Sequence, residues 1–364
     1  MSWIKSKADI VLLAGSVIAA FCLVELTYKY FPKREDSDRY ALFSDNGDGT
    51  VFRNVEDFFV YEPNKQIRSR MYCFVNGNWV KEYDYIIPTN NLGLVQRDGT
   101  RPNMPSVLLL GDSFTEGQGT SPWFELFSKK FSEPDLQFIN GGILGTGFQQ
   151  WERLHDHLLT EHIVVKHLVV IFISDDYFRS VWNFSTDMSN CLRDYQRCVG
   201  KEKFFGMPAD KDRGTYLKKW RAYRELALAD GSHSFKERLE YFFPATTMII
   251  RFLSNYLIPF KLGDLPQSRR SRQVIASLIA RYKENILFVH LPQKEEVINR
   301  RINPIGYVIR EDIKGLGGSL YDGQSRCNLT KEDYFVNDGH PNASGYAKIS
   351  ACVTAAVKDK WSLQ

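Results

Sequence analysis

Ser106-Val107-Leu108-Leu109-Leu110-Gly111-Asp112-Ser113-Phe114-Thr115-Glu116-Gly117 decides how this chain is read. The apolar run Ser106–Leu110 predicts a strand buried on both faces, as in a parallel sheet. The Gly-Asp-Ser that follows turns the chain at the strand end and presents one serine hydroxyl at the sheet edge. Alone the tripeptide is weak, because Asp and Ser at such a turn are common helix N-caps. Far downstream, Asn337-Asp338-Gly339-His340-Pro341-Asn342 holds a carboxylate and an imidazole in one short loop. A serine joined by an acid–histidine pair from elsewhere in the chain is the minimum set for nucleophilic acyl transfer.

Outward from that strand the pattern is regular. Pro122–Phe131 predicts a helix, Gln137–Ile139 a short strand leading into Asn140-Gly141-Gly142, and Gln149–Leu159 a helix with Trp151, Leu154, Leu158 and Leu159 on one face. His167–Ile173 is a second buried strand. Ser271–Tyr282 predicts a helix, Asn285–Leu291 a third buried strand and Ala343–Val357 a terminal helix. Strands alternating with helices at this spacing predict an α/β fold with a mostly parallel sheet covered on both faces. The alternation breaks near Tyr177, and residues from about 179 to 272 read as an insertion. Within it, Phe242–Phe260 is interrupted by Pro244, Arg251 and Pro259, which favours packing against the core, or an interfacial lid, over a membrane span. Before the sheet, Val51–Val95 carries short aromatic segments, Asp57–Tyr61 and Trp79–Ile87, that predict strands of an N-terminal lobe.

The N-terminus is apolar. Ile10–Val24 is uncharged, Glu25 interrupts it, and Tyr28, Tyr30 and Phe31 follow, with Trp3 in front. A run near this length lies between a signal-peptide core and a full span of about 20 residues. The flanking aromatics resemble interfacial anchors. The expectation is an uncleaved single-pass transmembrane helix. The cations Lys5 and Lys7 precede it and Lys29, Lys33, Arg34 and Arg39 follow, a balance that does not by itself favour an external domain, although large domains translocate largely regardless of such charges. The expected organisation is an anchor over 1–34, a linker (polar over Glu35–Thr50) and N-terminal lobe over 35–100, and a main domain over 101–364.

With 47 basic and 43 acidic side chains the net charge is only +4 in 364 residues, and there is no long Lys/Arg run, so nucleic acid is not an expected partner. The six cysteines include no Cys-x-x-Cys pair, and no metal or cofactor is expected. Cys191 and Cys198 bracket a polar loop that they would bridge in an oxidising compartment; separate thiols are equally open.

Four blocks in order resemble the SGNH (GDSL-type) hydrolase superfamily, in its membrane-anchored bacterial branch: Gly111-Asp112-Ser113, Asn140-Gly141-Gly142-Ile143-Leu144-Gly145, Ser174-Asp175-Asp176 after the His167–Ile173 strand, and the Asp338/His340 loop. The resemblance runs from about Asn90 to the C-terminus, outside the insertion, and includes Asn91-Leu92-Gly93. It implies a flavodoxin-like three-layer α/β/α sandwich, Ser113 as nucleophile, His340 as base, and an oxyanion hole built from the amides of Ser113 and Gly145.

Two positions depart from the pattern. The family's usual acid lies three residues before the histidine, where this chain has Asn337, so Asp338 is taken as the acid. Asp175 falls where the family places an asparagine that donates to the oxyanion. An ionised carboxylate there would repel the developing charge, and loss of one such donor typically costs about 10²–10³ in rate. Protonation of Asp175 would relieve the conflict. So would turning it away, leaving the Ser113 and Gly145 amides, with Ser174 Oγ as a further donor. His155, His157, His162, His167 and His290 are read as packing or surface residues.

The expectation is a membrane-anchored serine esterase with its catalytic domain periplasmic or extracellular. It would act on acyl esters, acetyl foremost, of a small molecule or, as the resemblance implies, a cell-envelope glycan. An acyltransferase would share the covalent intermediate. A catalytically weak binding or assembly module is the alternative that Asp175 and Asn337 leave open.

Overall fold

The computed structural model describes residues 16, 19–25, 40–45, 51–55, 58–75, 78–179, 245–246 and 266–363. The chain divides into two compact units. One comprises Met1–Asp38, Phe74–Asn78 and Lys211–Pro259, the other Arg39–Cys73, Trp79–Asp210 and Phe260–Gln364. In the first unit, Glu25 belongs to the helical stretch 19–25, and its carboxylate accepts from the amides of Ala245 (3.0 Å) and Thr246 (2.8 Å). Among the described residues no helix is long and apolar enough to cross a membrane. Most of the expected anchor, and Cys191 with Cys198, lie outside the described residues, as does nearly all of the expected insertion.

The second unit is built on a five-stranded parallel sheet. Its strands are β6 (Pro105–Gly111), β7 (Gln137–Gly142), β8 (Val164–Phe172), β9 (Ile286–His290) and β10 (Leu320–Asp322), in spatial order β10-β9-β8-β6-β7. Val107–Leu110, Leu168–Phe172 and Phe288–Val289 are completely buried, which explains why these strands read as unbroken apolar runs. Side chains alternate across a strand. Val107, Leu109, Val169, Ile171, Leu287 and Val289 face a core shared with helices α2 (Phe124–Ser128) and α8 (Ala343–Trp361). The alternate residues face α3 (Phe148–Thr160), α4 (Pro266–Tyr282) and α6 (Pro304–Gly315), as in the contact of Phe172 with Phe148. The result is the expected three-layer α/β/α arrangement.

Before this sheet, β1 (Tyr40–Asp45), β4 (Gln66–Val75) and β5 (Asn78–Pro88) form an antiparallel sheet, and β2 (Phe52–Val55) pairs with β3 (Phe58–Tyr61). The helix expected over Pro122–Phe131 is confined to Phe124–Ser128, and α4 starts at Pro266, inside the stretch read as insertion. β10 and α6 had no counterpart in the sequence reading. A disulfide joins Cys327, directly after helix α7 (Gly323–Arg326), to Cys352, closing a separation of 25 residues and tying the segment after β10 to α8. A loop of that size contributes roughly 3–4 kcal/mol in the chain-entropy model.

Candidate active site

The site forms where β6 ends. Asp112 caps helix α1 (Ser113–Glu116), its Oδ1 accepting from Phe114 N at 2.9 Å, so Ser113 opens the helix. Gly117, left-handed at φ +93°, closes it after one turn. Packing holds this short element where propensity could not: Trp123 Nε1 donates to Phe114 O (2.9 Å) and the Tyr346 hydroxyl to Gln118 O (3.1 Å). At Gly142 a Cβ would sit 2.3 Å from Glu116 N, so only glycine lets the end of β7 lie against α1.

The structure brings Ser113, His340 and Asp338 together. Ser113 Oγ lies 2.8 Å from His340 Nε2, and His340 Nδ1 lies 2.8 Å from Asp338 Oδ2. The other Asp338 oxygen accepts from Gly339 N at 2.8 Å. Burial raises the Asp338 carboxyl, but the facing imidazole and its hydrogen bonds bring it net below the usual range, so it acts only as an acceptor. His340 Nδ1 therefore carries the proton, and the Nε2 lone pair faces the serine hydroxyl. Burial pulls the imidazole pKa down, Asp338 pulls it up more strongly, and the net shift is upward. Ser113 Oγ also lies 3.5 Å from Asp112 Oδ2, but the imidazole is closer.

Asn337 does not enter this relay. Its amide N and Nδ2 both donate to the Glu82 carboxylate of β5, each at 2.8 Å. Lys294, at the start of α5 (Lys294–Asn299), donates to Phe335 O and Val336 O, both at 2.7 Å. The loop carrying the acid and base is thus held from two sides, by the antiparallel sheet and by α5. Neither Glu82 nor Lys294 carries any local signal of this role.

Gly145 lies in the loop after β7, left-handed at φ +69°. The preceding Leu144 N donates to Glu116 Oε2 (2.7 Å), which also accepts from the Tyr61 hydroxyl (2.9 Å). Burial pushes the Glu116 carboxyl up to about 7, against those hydrogen bonds. Glu116 sits within the motif that flagged Ser113, yet nothing in the sequence marked it as the tie between α1 and the Gly145 loop.

Asp175 does not join Ser113 and Gly145. In the 3₁₀ turn Ser174–Phe178 it is exposed, with Oδ2 accepting from Gln293 Nε2 at 2.8 Å. The neighbouring Asp176 takes the buried position and caps the turn through Ile173 N (2.9 Å). Ser174 Oγ is no donor to the site either: it is fully buried and donates to Glu296 Oε1 at 2.8 Å. Arg179, just past the turn, lies against Asp112, the residue before Ser113, instead. Its Nη1 donates to Asp112 Oδ2 (2.9 Å) and Thr146 O (3.0 Å) and stands 2.6 Å from Asp176 Oδ1.

No protein-family model matches the chain, and no curated protein matches it. Among solved structures it is similar to an α/β hydrolase from the metagenome of Lake Arreo, Spain, at 13% identity and a TM-score of 0.35, over 71% of this chain and 96% of that one. It is also similar to an acetyl xylan esterase from Geobacillus stearothermophilus (11%, TM-score 0.34, 70% and 95%). A third is a member of the lipolytic G-D-S-L family from Veillonella parvula (9%, TM-score 0.32, 69% and 97%). At such identities and TM-scores, the chemistry is read from the site's own residues. On the parallel sheet, Ser113, His340 and Asp338 form a serine–histidine–carboxylate relay, and Asp175 stands outside it.

Proposed function

We propose that the protein is a serine ester hydrolase acting on short acyl esters, acetyl foremost, carried by a small molecule or a cell-envelope glycan. The observation that carries this reading is the unbroken hydrogen-bonded relay from Ser113 through His340 to Asp338. As Ser113 Oγ attacks the ester carbonyl carbon, its proton passes to His340 Nε2, and Asp338 offsets the imidazolium charge. The carbonyl oxygen becomes an oxyanion facing the amides of Ser113 and Gly145. Collapse breaks the bond to the alcohol, which takes the proton back from Nε2 and leaves an acyl-Ser113. Water, activated by the same imidazole, then releases the acid. A sugar hydroxyl in place of that water would make the reaction a transfer.

Both departures from the family pattern face away from the relay, Asn337 toward Glu82 and Asp175 toward Gln293, which favours catalysis over a binding module. We read Ile10–Val24 as a membrane anchor and the second unit as periplasmic or extracellular; the Cys327–Cys352 disulfide supports an oxidising compartment. Hydrolysis of p-nitrophenyl acetate and labelling by a fluorophosphonate test the activity. Wild type should do both and Ser113→Ala neither; equal labelling of the two overturns the reading. Protease protection on intact cells tests the placement.

A further inference from the structure

Resting on the esterase reading, we propose that Arg179 is a catalytic residue, its guanidinium donating to the oxyanion in place of the asparagine missing from the third block. The side chain comes from the same loop after β8, displaced along the chain from the position where the amide was expected. Its Nη1 is anchored on Asp112, the residue before Ser113, and on Thr146, the residue after Gly145. The group is thus fastened to the flanking residues of both proposed oxyanion amides. Close packing keeps it there: a Cβ on Gly147 would meet Arg179 Cβ at 2.8 Å and Asp176 O at 2.7 Å.

Its donors are not all used. Among the described residues, Nε and Nη2 make no hydrogen bond, and the side chain is 26% exposed while Asp112 and Asp176 are fully buried. The anchored nitrogen faces two buried carboxylates, and the rest of a rigid fork remains for a ligand. Electrostatics gives the reason for a cation rather than an amide. Asp112 Oδ2 stands 3.5 Å from the attacking oxygen, so the oxyanion forms beside an existing carboxylate. A neutral asparagine would leave that repulsion uncompensated, whereas the guanidinium offsets the carboxylate and donates to the new charge. Asp175 is then free to point outward.

The test is steady-state hydrolysis of p-nitrophenyl acetate by Arg179→Lys and Arg179→Ala, with folding followed by circular dichroism. Lysine keeps the charge but loses the fork; its kcat should fall about 10²-fold with KM within about threefold. The alanine variant should lose about 10³-fold and recover at least about tenfold when guanidinium chloride is added at concentrations below those that unfold it. A wild-type kcat in either variant, a loss confined to KM, or a kcat loss in folded Arg179→Ala that guanidinium does not restore would each overturn the proposal. If the alanine variant does not fold, the kcat of the lysine variant decides alone. Activity surviving in Ser113→Ala would sink the esterase reading itself, whereas an inactive Ser113→Ala beside a fully active Arg179→Lys removes only the role of Arg179.

Discussion

Among the described residues two serine–histidine pairs lie within hydrogen-bonding distance, and only one is built to make a nucleophile. Ser113 Oγ is 2.8 Å from His340 Nε2; Ser174 Oγ is 3.2 Å from His290 Nε2. Both serines follow strands of the parallel sheet, and both are buried. The pairs differ in what the second ring nitrogen faces. His340 Nδ1 meets the Asp338 carboxylate, while His290 Nδ1 accepts from Arg310 Nε at 2.8 Å. That donor forces the His290 proton onto Nε2, which donates to Ser174 Oγ, and the hydroxyl donates onward to Glu296. The hydrogen bonds therefore run in the opposite sense, and His290 has no lone pair facing its serine. Burial, helped by the Arg310 charge, drives the His290 pKa down to about 3, whereas Asp338 carries that of His340 upward against burial. Proximity of serine to histidine is insufficient; the partner behind the imidazole sets the direction of proton transfer.

The sharpest way to break this comparison is to remove each serine. Ser113→Ala should lower kcat for p-nitrophenyl acetate by about 10⁵–10⁶-fold, as removal of a triad nucleophile does elsewhere. Ser174→Ala should leave kcat per folded molecule within about threefold, and a comparable loss in both would erase the distinction. Next comes the orienting acid. Asp338→Asn presents an amide that stabilises the wrong tautomer, and kcat should fall about 10⁴-fold; an unchanged rate would mean that Asp338 does not orient His340.

On the other pair, Arg310→Met should leave the rate intact. It strands the buried Nδ1 of His290, so urea denaturation should show a loss of roughly 1–3 kcal/mol. The smallest effect is on pH dependence. Since the His340 pKa is raised above 6.5, the acid limb of kcat/KM should lie above pH 6.5. His290 has the opposite sign. Its depressed folded pKa means that the unfolded chain binds the proton first, so its contribution to stability is present above pH 6.5 and is lost as pH falls from 6.5 toward 3. Denaturation at a series of pH values, with His290→Gln as the control that flattens the slope, checks this.

Much of the sheet was legible because burial on both faces leaves little room for polar residues: Val107–Leu110 and Leu168–Phe172 announce themselves. The short partly buried β10 and the disulfide between Cys327 and Cys352 were not, because their partners are distant in sequence, whereas α6 is marked locally by the Asn303 cap, Pro304 and the spacing of Ile305, Ile309 and Ile313. At the site, the Gly-Asp-Ser turn and the Asp-Gly-His loop were legible as chemistry-bearing pieces. Asp175 was legible as a conflict, but its resolution required the 3₁₀ turn that buries Asp176 and leaves Asp175 on Gln293. Glu82 and Lys294 had no local signature, since each works by reaching a loop from another element.

From its order of residues alone, this protein has a parallel α/β core, a serine at a strand end and an acid–histidine loop, because strand burial and tight-turn chemistry are local properties. Which histidine faces a carboxylate and which an arginine, which of two adjacent aspartates is buried, and where Arg179 anchors were decided only by tertiary packing. Hydrogen-bond direction and charge compensation depend on neighbours that folding alone assembles.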